Sequence, residues 1–166
     1  MRIAIIALGS RGDVQPYVAL GKGLSDAGHE VRLVTHEDFA PLAAAHGLAC
    51  HTVRGSVQAV AESDEMRALL AKGNFLAITA RTAREAKRAM RHWAEDGLAA
   101  CLGVELLIAG IGGLFIGLAL AEKLDVPLMQ AYLVPFTPTG EFPGVLLPVT
   151  LPRLGAGVNR LSHRMV

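Results

Sequence analysis

Residues 3–8, Ile-Ala-Ile-Ile-Ala-Leu, run without a polar side chain into Gly9-Ser10-Arg11-Gly12-Asp13-Val14-Gln15-Pro16. An apolar run this short is below helix length and suits a strand buried on both faces. Gly9 and Gly12 open backbone angles that other residues avoid. Pro16 lacks an N–H, which is harmless in the first turn of a helix. The pattern predicts strand, tight turn and helix, with the helix over 15–27, Tyr17, Leu20 and Leu24 as its apolar stripe, and Gly28 ending it. A turn of this kind opens at the carboxyl edge of a parallel sheet. There the free N–H groups of a helix N-terminus face anions, and open α/β sheets hold their ligands.

The rest of the chain repeats the alternation. Strands are expected at 31–35, 48–53, 106–109 and 128–132, and helices at 38–46, ended by Gly47, and at 66–72, 75–98 and 114–124. Alternating strands and helices imply a parallel sheet with right-handed crossovers. Gly21 and Gly23 weaken the first helix but let it lie close to the sheet. Residues 106–121 carry no charge but are too short to span a bilayer and are broken by Gly110, Gly112, Gly113 and Gly117. A buried strand, a second glycine turn and a buried helix explain them better. In the long helix Leu76, Ala80, Ala83, Met90, Trp93 and Ala94 form the expected apolar stripe. Arg81, Arg84, Arg88 and Arg91 fall on another face, where Glu85 and Glu95 are available as intrahelical partners. That basic face suits either solvent or anionic headgroups. Residues 134–154 hold five prolines, from Pro135 to Pro152, which exclude regular structure. They predict a long surface loop carrying Phe136, Phe142, Leu146 and Leu147, suited to an apolar ligand or to a partner domain. A last helix is expected to begin at Leu161.

The octapeptide, continued by Ala19-Leu20-Gly21-Lys22-Gly23-Leu24 and Gly28-His29-Glu30-Val31, resembles the amino-terminal domain of glycosyltransferases with the GT-B fold. It is most similar to the sterol glucosyltransferases and the glycopeptide-antibiotic glycosyltransferases, whose amino-terminal domain is grouped with family 28. In that group the turn reads Gly-Ser/Thr-Arg-Gly-Asp-Val-Gln/Glu-Pro. The resemblance runs over residues 1–132 and weakens beyond.

The resemblance implies an α/β, Rossmann-like open parallel sheet with helices on both faces, one half of a GT-B fold. It implies an inverting hexosyltransferase that moves a sugar from a UDP- or dTDP-sugar to a hydroxyl of a sterol, polyketide or similar apolar acceptor, with no further cofactor. Asp13 maps onto the family's catalytic base. The donor belongs to a carboxyl-terminal domain, for which 166 residues leave no room. The chain is therefore expected to be a single acceptor-binding domain over 1–166, inactive alone, as a fragment or as half of a split enzyme.

The residues themselves allow a plainer reading. Asp13 suits a general base beside an acceptor hydroxyl and equally a helix N-cap. Gly9, Ser10 and Gly12 are candidates to approach a sugar diphosphate, with Arg11 adding charge or simply facing solvent. His36 is expected at the carboxyl end of the second strand, on the acceptor side with Gly112, Gly113, Phe136 and Phe142. The histidines show no ligand spacing, so no metal is expected. A nicotinamide or flavin domain would want a third glycine in the turn and an acid ending the second strand, where Thr35-His36 stands. A non-catalytic module that binds an aglycone or recruits a donor-binding chain to a membrane is the other reading. The formal charge of +1 does not nominate nucleic acid. Cys50 and Cys101 are expected as free thiols in a reducing cytoplasm, with peripheral membrane contact a further expectation.

Overall fold

The computed structural model describes residues 1–55, 63–71, 73, 75–144 and 155–163. Contacts divide the chain into two compact units, Met1–Ala131 and Tyr132–Val166.

The first unit is built on five parallel strands, β1 (Arg2–Ile6), β2 (Glu30–His36), β3 (Ala49–Val53), β4 (Leu106–Ala109) and β5 (Leu128–Gln130), in the order β3-β2-β1-β4-β5. β1 lies at the centre, with Ile5 registered on Leu33 of β2 and on Ile108 of β4. Period-two alternation then sends the strand side chains to two cores. Ile3, Ile5, Val31, Leu33 and Ile108 meet Val14, Tyr17 and Val18 of α1 (Arg11–Asp26) and Ala43 of α2 (Ala40–Ala45). Ala4, Ile6, Val34, Leu107 and Ala109 meet Ala100 and Cys101 of α4 (Phe75–Cys101) and Ile116 and Leu120 of α5 (Leu114–Leu124). Each large side chain buried this way contributes about 1.5–3 kcal/mol. Helices therefore cover both sheet faces, as the alternation predicts. The short α3 (Asp64–Ala71) is capped by Ser63, whose Oγ accepts from the Met66 N–H at 3.3 Å.

Several boundaries differ from the sequence reading. α1 begins at Arg11, not at residue 15, because Ser10 in an extended conformation (φ −79°, ψ 175°) caps it. Pro16 consequently sits inside the helix rather than in its first turn. α4 runs three residues past the expected end at 98, and its Ala80 and Met90 are exposed. Leu20, expected on the apolar stripe of α1, is also exposed. Gly21 does let α1 approach the sheet, since a Cβ there would stand 3.1 Å from Leu48 Cδ1, whereas nothing lies within 4 Å of one at Gly23. Residues 106–121 form β4, a 3-10 turn (Ile111–Gly113) and most of α5. Among the described residues no helix is long and apolar enough to cross a membrane. Cys50 and Cys101 are free, and burial pushes the Cys101 thiol up to about 11.

In the second unit α6 (Ala156–His163) starts earlier than the predicted Leu161. It is tied to residues 140–144. The Asn159 amide donates to the Gly140 carbonyl at 2.8 Å, and Ser162 Oγ accepts from the Gly144 N–H at 2.8 Å. Of the proline-rich loop, residues 145–154, with Leu146 and Leu147, lie outside the described residues.

Candidate functional site: two glycine turns at the carboxyl edge

The extended Ser10 sets its N–H toward the first turn of α1. That N–H donates to Asp13 Oδ2 at 2.8 Å, and Ser10 Oγ donates to the same oxygen at 2.8 Å. Asp13 is thus the third helical residue, reaching back in the manner of a capping box; the N-cap is Ser10. Among the described residues no hydrogen bond reaches Asp13 Oδ1. The carboxylate is fixed through one oxygen and offers the other. Gly9 makes this possible in two ways. Its φ of 137° lies in the region that favours glycine, and a Cβ there would stand 2.6 Å from Asp13 Oδ2. Gly12, expected to need the same freedom, is an ordinary helical residue with only Ser10 Oγ, at 3.7 Å, near its missing Cβ. The exposed Arg11 donates through Nε to Gln15 Oε1 at 3.1 Å, as a solvated helix residue would. Asp13 N–H donates to the Ser10 carbonyl at 2.9 Å. The N–H groups of Arg11 and Gly12 before it lie in the first turn of α1 and have no intrahelical carbonyl to donate to.

The second turn leans on the first. A Cβ on Gly112 would collide with the Leu8 carbonyl, and one on Gly113 would stand 2.6 Å from the Ile6 carbonyl oxygen. Gly112 is exposed beside the exit of β1, while Gly113 is buried under it. Tyr17, one turn below Asp13, joins the two. Its ring fills the space a Gly110 side chain would need, and its hydroxyl donates to the Ala131 carbonyl just past β5. Burial pushes the phenol up, and the Asp13 carboxylate pushes it further. The sequence reading placed Tyr17 only in an apolar stripe. Its spacing of four from Asp13, which puts both on one helix face, was the available signal.

His36 stands at the carboxyl end of β2, as expected, but beneath the surface and fully buried. Its ring meets Trp93 edge to face with centroids 5.4 Å apart. Burial pushes the imidazole below its ordinary value, opposed by the Gly55 backbone and the Asp38 carboxylate. Among the described residues neither ring nitrogen has a hydrogen-bond partner; nor has the buried Thr35 hydroxyl on the opposite sheet face. Trp93 is held by its Nε1–H, which donates to the Arg54 carbonyl at 2.7 Å. Phe136 and Phe142 belong to the second unit, where Phe136 packs on Tyr132 at 5.2 Å and Phe142 meets His163 edge-on at 5.8 Å. The first unit therefore brings together Gly9, Ser10, Arg11, Gly12, Asp13, Gly112 and Gly113, with His36 under the neighbouring strand end.

The fold recurs in known proteins. SsfS6, a glycosyltransferase of Streptomyces sp. SF2575, superposes with a TM-score of 0.60 at 24% identity, over 80% of this chain and 39% of that one. The glycosyltransferase VinC, solved in complex with dTDP, gives a TM-score of 0.60 at 20% identity, over 80% of this chain and 34% of that one. These likenesses establish the fold. In sequence the chain is 35% identical to a sterol 3-beta-glucosyltransferase of Pichia angusta over 98% of its own length. It is 34% identical to one of Gibberella zeae over 99%. It spans only 13% and 11% of those two relatives. Residues 3–143, a span that includes Asp13 and both glycine turns, match the model of the glycosyltransferase family 28 N-terminal domain. The chain belongs to that family.

Proposed function

We propose that this domain is the acceptor side of an inverting glycosyl transfer, with Asp13 as the base that takes the proton of the acceptor hydroxyl. The observation that carries the reading is the one-sided fixing of Asp13. Oδ2 is held by Ser10 at 2.8 Å twice over, and among the described residues nothing hydrogen-bonds to Oδ1. A base must be positioned and must keep a lone pair available for the incoming proton. In the step, the acceptor oxygen forms its bond to the anomeric carbon as the bond from that carbon to the nucleotide diphosphate breaks. The hydroxyl proton passes to Asp13 Oδ1, and the electron pair leaves with the diphosphate.

The acceptor is a hydroxyl on a largely apolar molecule such as a sterol or polyketide, supported by the sterol glucosyltransferase relatives. Gly112 and Gly113 shape its edge, and His36 backs that edge from below. The donor is a UDP- or dTDP-sugar held chiefly by residues outside this sequence. Gly9, Ser10, Arg11 and Gly12 meet its diphosphate through backbone N–H groups at the start of α1. The test is turnover of the complete enzyme with such donors and a panel of sterol and polyketide alcohols, with product stereochemistry read by proton NMR. Inversion with an apolar acceptor is expected. Retention at the anomeric carbon would remove Asp13 as sole base, and turnover only with sugar or peptide acceptors would overturn the acceptor class.

A further inference from the structure

We propose that His36 is a specificity-determining residue of the acceptor site, whose imidazole hydrogen-bonds a second oxygen of the acceptor, apart from the hydroxyl that is glycosylated. The inference rests on the acceptor-side reading above and adds what that site selects. His36 ends β2 and is fully buried, yet among the described residues neither ring nitrogen has a hydrogen-bond partner. A buried polar group left so costs stability, and the large majority of buried side-chain polar atoms in folded proteins are paired. Its place in the sheet fits a ligand as the partner. Val34 is registered on Ile6, and the Ala7 N–H donates to the Val34 carbonyl at 3.0 Å. His36, two residues on, therefore stands beside Leu8, the last residue before the turn that carries Asp13. On its other side it is registered on Val53 of β3. Leu8, Val34 and Val53 are buried in one core, with Trp93 packed against it. The orphan imidazole is thus one polar point in an apolar wall, at the edge where open α/β sheets hold their ligands.

Among the described residues the cover on that point is Trp93, whose ring meets the imidazole edge to face with centroids 5.4 Å apart. The indole is half-buried, and its Nε1–H donates to the Arg54 carbonyl at 2.7 Å. Arg54 itself is fixed, because Asp96 Oδ2 accepts from its backbone N–H at 2.9 Å and from its Nε at 2.9 Å. Turning one aromatic side chain, at the loss of one hydrogen bond, therefore uncovers the imidazole while the end of β3 stays in place. The wall so opened has Leu8, Val53 and the indole around a single polar group, which is the make-up of a small-molecule site. Burial holds the imidazole below its ordinary value. At neutral pH it is uncharged, with one nitrogen donating and the other accepting. Such a group suits a neutral hydroxyl or carbonyl oxygen rather than a carboxylate or an ammonium. A site with a buried polar group to satisfy favours the substrate that satisfies it over the analogue that lacks the oxygen.

Androstanol and the androstanediols with a second hydroxyl on the B, C or D ring share the transferable alcohol and differ by one oxygen. In the complete enzyme one of the diols should be used with a kcat/KM about tenfold above that of androstanol, as one well-made hydrogen bond allows. His36→Leu should bring that ratio close to unity. His36→Gln, which keeps a donor and an acceptor, should restore part of it. A merely structural His36 would change the rates with both alcohols in step and leave their ratio as it was. Trp93 is the only tryptophan of the sequence, so its emission in this chain reports the uncovering. Saturation with the favoured diol should shift that emission in the native chain and leave it unmoved in His36→Leu. Androstanol used as well as every diol, a ratio untouched by His36→Leu, or an emission that the favoured diol does not move overturns the inference and leaves the acceptor reading in place. Refusal of all these alcohols beside turnover of a sugar or peptide acceptor overturns both.

Discussion

The two glycine turns sit side by side at the ends of β1 and β4 and look alike in sequence, yet their glycines answer to different demands. In the first, Gly9 is required because its φ of 137° and its bare α-carbon let the Asp13 carboxylate fold back on Ser10. In the second, Gly112 and Gly113 are required because the turn presses on the carbonyls of Leu8 and Ile6. One turn is shaped around a side chain that can do chemistry; the other is shaped around the backbone of the first. A glycine-rich strand-to-helix turn is therefore no proof of a ligand site, and what distinguishes the two is the company of Ser10 and Asp13.

The strongest break of that contrast is Asp13→Asn in the complete enzyme. The amide keeps an oxygen for the Ser10 N–H, so melting temperature should hardly move. The basic carboxylate is gone, and kcat should fall roughly a hundred- to ten-thousandfold with acceptor KM little changed. A full-rate variant would return Asp13 to a purely structural role. Gly113→Ala should do the reverse. Its methyl would meet the Ile6 carbonyl oxygen at 2.6 Å, and backbone cannot turn aside as a side chain can. A loss of about 3 kcal/mol is expected, at the upper end for overpacking. Chemical denaturation measures it; an unchanged midpoint would mean that the second turn is looser than its geometry.

Gly9→Ala falls between these. Backbone strain at a positive φ costs on the order of 1–3 kcal/mol, and the methyl would also displace Asp13 Oδ2. Stability and kcat should drop together, unlike either of the first two variants. Activity surviving at an unchanged midpoint would show that the turn can rearrange. Tyr17→Phe tests the link between the turns. It keeps the ring against Gly110 and removes the hydroxyl donated to Ala131, for a loss of about 1 kcal/mol. No change in melting temperature would mean that the Ala131 carbonyl finds another donor.

Much of this was legible in the residues and some was not. The sheet, its order of elements and the glycine ends of α1 and α2 followed from periodicity and from Gly28 and Gly47, both at positive φ. The start of α1 was misplaced because Pro16 reads as an opening residue, and only the extended Ser10 shows that the helix begins a turn earlier. Asp13 was found through a family resemblance; its physical setting was not, since an N-cap and a third-position carboxylate look the same in a string. The burial of His36 had no signal either. Its neighbours Thr35 and Glu37 are polar, and what covers the imidazole is Trp93, 57 positions away in the sequence.

The smallest expected effect separates the two demands at a single residue. Gly12 was read as a second conformational glycine, but it lies at the second position of α1, has no positive φ and has room for a methyl. Alanine should suit such a site better than glycine, because it lowers the entropy of the unfolded chain without straining the folded one. Gly12→Ala should therefore stabilise the domain by about 0.4–1 kcal/mol. If Gly12 is bare so that a diphosphate can approach the N–H groups at the start of α1, the same methyl should weaken donor use, raising donor KM while the midpoint of unfolding rises. Asp13 would be untouched, so the acceptor KM should stay as it was. A stabilised variant with unaltered donor kinetics would remove Gly12 from the site and leave the first turn, like the second, with glycine only where the fold itself demands it.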